Sequence, residues 1–209
     1  MQKELRQKFN REFTEEKYLN LLSDLNSLFR WEVDFRVSET PIFLTEDFTS
    51  KLLNACKDIS QQISTKDFLE NSGEGVPDEF SVYGETSHPL FLQLDFAIAK
   101  DEENNPLPVL IELQGFPSLY GYQFYLNRMY KRNFNLPANA SPYFSNLTEE
   151  SYAGLLKELI VGRNDPENVI LLEIQPEKQK TRIDFAATES LTGISTVCLT
   201  LLHKKGKNL

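Results

Sequence analysis

Gln93-Leu94-Asp95-Phe96-Ala97-Ile98-Ala99-Lys100, then Asp101-Glu102-Glu103-Asn104-Asn105-Pro106, then Leu107-Pro108-Val109-Leu110-Ile111-Glu112-Leu113-Gln114, is the stretch that decides the fold. Two β-prone runs flank a loop of acidic and amide residues closed by proline, the composition of a turn. The stretch therefore predicts a β-hairpin. Folded symmetrically about the loop, it sets Asp95 opposite Glu112, Gln93 opposite Gln114 and Ala97 opposite Leu110 on one face. The other face pairs Leu94 with Leu113, Phe96 with Ile111 and Ile98 with Val109, a continuous apolar surface suited to a core. A slip by one residue would exchange the faces, so the pattern sets its own register.

Two carboxylates facing each other on neighbouring strands repel, and Asp is disfavoured inside a strand. A divalent cation is the simplest compensation. The plainer alternative is a solvated polar face on a sheet whose other side is packed. The polar face ends at Gly115-Phe116-Pro117-Ser118, where glycine and proline stop the strand and an aromatic-rich helix is predicted from Leu119 to about Arg132. Its tyrosines, Tyr120, Tyr122, Tyr125 and Tyr130, suit half-buried packing.

Toward the amino terminus, Leu5 to Phe29 carries the apolar spacing of one or two helices. Trp31 to Arg36 alternates as a short strand or extended link, and Arg36 is a candidate to meet an anionic ligand, weighed against an ordinary surface arginine. Thr45 opens a helix that runs to about Ser64. Residues 70–88, rich in glycine and proline, predict a long surface excursion; Asn71-Ser72-Gly73-Glu74-Gly75 there lacks the lysine of a phosphate-cradling loop.

Toward the carboxyl terminus, residues 136–143 read as a linker and Thr148 starts a helix to about Val161. Val169 to Ile174 is a short apolar run of buried parallel-strand type, followed by a helix over 178–191 and a second strand over 194–201: one βαβ unit. Such a unit alone leaves strand edges and sheet faces uncovered. The expected class is thus mixed α+β and α/β, with a helical amino-terminal part, a central antiparallel hairpin and a carboxyl-terminal βαβ unit. The segments expected are 1–135, carrying the candidate metal site, a linker and helix over 136–166, and the βαβ stretch 167–209.

The chain of 209 residues carries 31 acidic against 22 basic residues, a formal net charge of -9. That balance argues against nucleic acid as a partner. An anionic ligand would need a metal or a local basic patch, and in the sequence only Lys204-Lys205-Gly206-Lys207 is locally basic, as a solvated terminus would be. No apolar run is long enough to span a bilayer and Met1 to Arg6 lacks the apolar core of a signal peptide, so a cytoplasmic protein is expected. Cys56 and Cys198, far apart in sequence, are expected as buried free thiols.

Gln93-Leu94-Asp95-Phe96 and Ile111-Glu112-Leu113-Gln114, followed by Pro117, Ser118 and Gln123, resemble the ATP-grasp ligases of the glutathionylspermidine synthase type, including their circularly permuted relatives. In that family one strand carries Arg-x-Asp-Phe and the next Leu-Glu-x-Asn, before small residues, a proline and a helix that includes a glutamine. The resemblance implies that Asp95, Glu112 and Gln114 are Mg²⁺ ligands and that Gln93 stands where the family has a nucleotide-contacting arginine. It implies ATP and Mg²⁺ as cofactors, a small-molecule carboxylate and an amine as substrates, and a pre-ATP-grasp character for the βαβ stretch. It also implies that this chain corresponds to the amino-terminal part of such a ligase, with the nucleotide-covering lobe missing here or supplied by another copy.

Overall fold

The computed structural model describes residues 2–80, 84, 86 and 88–206. In chain order these form α1 (Lys3–Glu12), α2 (Glu15–Ser27), α3 (Glu46–Ile63), α4 (Lys66–Asn71), β1 (Gln93–Lys100), β2 (Pro106–Gln114), α5 (Tyr120–Asn133), α6 (Glu149–Val161), β3 (Ile170–Glu173), α7 (Arg182–Thr192) and β4 (Ser195–Cys198). The architecture is mixed α+β, as expected. One sheet is an antiparallel pair of β1 and β2, and the other is a parallel pair of β3 and β4. Threonines begin four of the helices where a side-chain oxygen is wanted: Thr14, Thr45, Thr65 and Thr148 each accept a bond from a first-turn N–H.

The chain divides into two compact units that do not follow its order. One comprises residues 1–6 and 42–117, the other 7–41 and 118–209, so α1 begins in the first and ends in the second. The segments 1–135, 136–166 and 167–209 read from the sequence run across this division. Trp31 to Arg36 forms no strand and is an extended link. The excursion over residues 70–88 is described in part: 3-10 turns occupy Ser72–Gly75 and Asp78–Phe80, and residues 81–83, 85 and 87 lie outside the described residues.

In the first unit α3 packs against β2. Phe48 on α3 and Phe91 before β1 are its buried apolar side chains among the described residues. The apolar surface expected to cover a core is instead open, with Ile98, Val109, Ile111 and Leu113 between 38% and 64% exposed. A two-stranded sheet offers two faces, and among the described helices α3 is the main one packed on it.

The second unit owns most of the core. α2 packs on α5, α5 on α7, and α6 on α7. Leu21, Leu25, Tyr122, Phe124, Leu156, Ile183 and Ala187 are buried between these helices. Helices α5 and α7 come so close that a Cβ on Gly121 would stand 2.8 Å from Thr188 Oγ1 and 2.9 Å from its backbone N. Only a glycine fits there. The predicted βαβ unit is present, with Ile170 beside Ser195 through Glu173 beside Cys198. Its helix starts later than predicted because Gln175 adopts a left-handed conformation and Pro176 opens a 3-10 turn. The second strand is shorter, since Leu199–Leu201 coils into another.

Cys56 and Cys198 are free thiols but half-buried rather than buried. Cys198, at the end of its strand, accepts from Gln175 N at 3.3 Å. Among the described residues no helix is long and apolar enough to cross a membrane.

Candidate functional site

The hairpin forms with the expected register at the end that matters for the candidate site. Gln93 faces Gln114, Leu94 faces Leu113 and Asp95 faces Glu112. The pleat therefore sets Gln93, Asp95, Glu112 and Gln114 on one face. Beyond Asp95 the symmetric register fails, because a bulge lets Phe96 face Leu110, Ala97 face Val109 and Ile98 face Pro108. The turn explains the shift. Asp101 accepts the N–H groups of Glu103 at 3.0 Å and Asn105 at 2.7 Å, and Asn104 takes a left-handed φ of 64°. This closes the loop tightly enough for Lys100 to face Pro106 rather than Leu107, and Ile111 takes up the residue left over.

Two consequences follow for the faces. Val109 and Leu107 now lie on the side of the polar residues, so that side is polar only over its first two pairs. The bulge stands directly beside the Asp95–Glu112 pair, a place where bulges commonly re-aim side chains. Pro106 and Pro108 have no N–H to donate, which a strand at the edge of a sheet tolerates.

Within the face, Gln93 Nε2 donates to Asp95 Oδ1 at 3.1 Å. That bond orients the amide, because the opposite orientation would set two oxygens together. The other amide atom, Gln93 Oε1, is buried and has no hydrogen-bond partner among the described residues. A buried acceptor of this kind is satisfied by a ligand donor or a bound water. Asp95 and Gln114 are half-buried and Glu112 is exposed.

Two carboxylates and an amide carbonyl are hard oxygen donors of the type Mg²⁺ takes. The described residues bring no three of His, Cys, Asp and Glu together as a metal-holding group, so a cation here would depend on the Gln114 amide for its third protein oxygen. The donor chemistry fits such an ion, and the orphaned Gln93 oxygen offers an acceptor for one of its waters. At the exit of β2, a Cβ on Gly115 would come 3.3 Å from the Pro89 side chain, so the chain leaves the strand in close contact with residue 89.

Arg36 belongs to the second unit. Its guanidinium is exposed and donates to Glu39 Oε1 at 2.7 Å, which raises its pKa further. The segment beside it is pinned by tyrosines: Tyr18 OH donates to Val37 O at 2.7 Å, and Tyr130 OH donates to Ser38 O. Tyr122 and Tyr130 are buried, more deeply than the half-buried role expected of them, and Tyr122 meets Phe35 edge-on at 5.4 Å.

Asp184 carries a structural role that the sequence pattern does not announce. It stands in the first turn of α7, yet its carboxylate accepts the N–H of Leu119 at 3.0 Å and of Tyr122 at 2.8 Å, and also that of Gly121. Helix α5 has no capping side chain of its own, since Leu119 precedes it in a left-handed conformation with φ 61°. Asp184 is thus the cap of another helix. Burial raises its pKa, against the lowering by the three N–H donors. In the helix predicted over 178–191 Asp184 stands beyond the first turn, so the sequence carries no signal that it caps another helix.

No family model, curated protein or solved structure matches the chain.

Proposed function

We propose that the polar face of the hairpin is a Mg²⁺-nucleotide site with Asp95, Glu112 and Gln114 as oxygen ligands. On this reading the chain is ATP-grasp-like, of the glutathionylspermidine synthase type, and serves an ATP-dependent ligase that joins a carboxylate to an amine. The observation that carries the reading is the register, Asp95 against Glu112 and Gln93 against Gln114, with a bulge beside the acidic pair. Mg²⁺, when bound, supplies charge neutralisation to phosphate oxygens.

The residues themselves have separable tasks. Gln93 holds Asp95 through its amide N–H and offers its unpartnered oxygen to a donor. Glu112 is exposed and Gln114 half-buried at the end of the strand, so an incoming ion would take Glu112 from the solvent side. Gln93 in place of arginine lowers the positive charge offered to phosphate, so the metal has to carry more of the nucleotide binding. A second reading, a non-catalytic interaction module, is favoured by the open apolar side chains of the same hairpin, such as Ile111 and Leu113.

Thermal unfolding with Mg²⁺ alone, ATP alone and both together separates the two. A site that binds the folded state raises the melting temperature with ligand concentration, by about 2.7 kcal/mol of stability at a hundredfold excess over Kd. The rise is expected with both ligands present and is expected to vanish in the Asp95→Asn, Glu112→Gln double variant. An equal rise in that variant, or none in the parent protein, leaves the interaction module standing.

A further inference from the structure

We infer that a cavity in the second unit, at the start of α2 and the end of α5, binds a small organic phosphate through Lys17, Lys131 and Arg132. The cavity measures about 550 Å³ and has Phe134, Leu136 and Pro137 among its lining residues. Sites for small molecules commonly have this size, and a bare inorganic ion needs far less room. Two asparagines complete the polar lining, and no carboxylate contributes to it among the described residues. In a chain with 31 acidic residues against 22 basic ones, three cations on a lining that holds no carboxylate are a local excess of positive charge, with Asp24, 3.4 Å from Arg132, as a neighbouring acid.

The cations keep donors in hand. Lys17 Nζ donates to the Glu12 carbonyl at 2.6 Å, which anchors it and leaves two of its three N–H donors for a ligand. Arg132 approaches Asp24 Oδ2 with Nε at 3.4 Å, and its outer guanidinium edge remains open. Lys131 makes no side-chain hydrogen bond or close ion pair among the described residues, and its charge is felt by Glu150 at longer range. The dipole of α5 favours cations in its last turn and so accounts for Lys131 and Arg132, while Lys17, in the first turn of α2, has its ammonium on the last carbonyl of α1. A dianion between them would offset their mutual repulsion. A phosphate accepts donors from several directions at once, and the apolar side chains of Phe134, Leu136 and Pro137 suit an organic remainder.

Titration of the ¹⁵N-labelled protein with phenyl phosphate, inorganic phosphate and benzoate tests this by NMR. Phenyl phosphate is expected to give saturable shifts at residues 131–138 and to bind about tenfold tighter than either of the other two. Lys131→Gln is expected to weaken binding about tenfold, as loss of a charge-assisted hydrogen bond does, while Lys131→Arg retains it. Lys131→Gln loses only a longer-range attraction to Glu150, so both variants should fold. The Asp95→Asn, Glu112→Gln protein is expected to bind phenyl phosphate unchanged, which keeps this test apart from that of the hairpin. Absence of saturation by about 10 mM, a Kd weaker than any specific site of this kind, overturns the inference. So do equal affinities for Lys131→Gln and the parent, and benzoate binding as tightly as phenyl phosphate.

Discussion

Both sheets of this protein are two strands wide, but they are held in different ways. β1 and β2 are joined by a five-residue turn whose Asp101 supplies its own hydrogen bonds, and their side chains stay largely open, with α3 as the packing partner. β3 and β4 are parallel, so they need a crossover, and that crossover is α7, whose Ile183, Ala187 and Thr192 are at most 1% exposed. An antiparallel pair can form from local chain geometry, whereas a parallel pair exists only if its connecting helix is buried. The first unit thus rests on a thin core around Phe48 and Phe91. The second rests on helix packing that also fixes the start of α5.

The largest effect that would break this comparison is expected from Phe48→Ala. Removing one of so few buried side chains should lower the stability of the first unit by about 4 kcal/mol. Hydrogen exchange should then show β1 and β2 amides unprotected while those of α7 keep their protection; simultaneous loss in both units would mean that they unfold as one.

A smaller loss, about 3 kcal/mol, is expected from Asp184→Ala, which strands three N–H groups at the buried start of α5. Urea unfolding measures it, and the loss should appear in the second unit. The same carboxyl has a pH signature. Its folded pKa lies above the unfolded one, so the native state holds the proton more tightly. The associated stability is complete below about pH 4, the ordinary range for Asp, and is lost as pH rises through the raised folded value. Asp184→Asn cannot titrate, so the stability of the parent relative to this variant should fall across that window; a flat difference would refute the raised pKa.

The smallest effect sharpens the comparison at the hairpin. In metal-free buffer Asp95→Asn removes the repulsion from Glu112 and should raise the stability of the first unit by roughly 0.5 kcal/mol. With Mg²⁺ and ATP the order should reverse. A variant less stable than the parent in both buffers would mean that the Gln93–Asp95 bond matters more than the repulsion.

Much of this was legible in the chain itself. Thr45 and Thr148 mark helix starts that the structure confirms, because a threonine oxygen meets a first-turn N–H within four residues. The pairs Asp95–Glu112 and Gln93–Gln114 were readable for a similar reason, since alternation and a nearby turn leave little choice of partner at that end. The bulge at Ile111 was not readable. Alternation specifies faces but not the number of residues the Asp101 turn consumes, so Val109 and Leu107 changed sides.

The sequence by itself determined the longer helices, their order, the hairpin and its acidic pair, because each depends on contacts between residues close in the chain; the short α4 was not among them. Only the tertiary structure decided that each unit is drawn from two separate stretches of the chain, that Asp184 caps α5 across 65 residues of separation from Leu119, and that Lys17, Lys131 and Arg132 line one cavity. The one basic run visible in the sequence lies at its end, where Lys204 and Lys205 are exposed and Lys207 is outside the described residues. Charge that converges from distant positions leaves no local pattern, since it is the packing of α2 on α5 that brings it together.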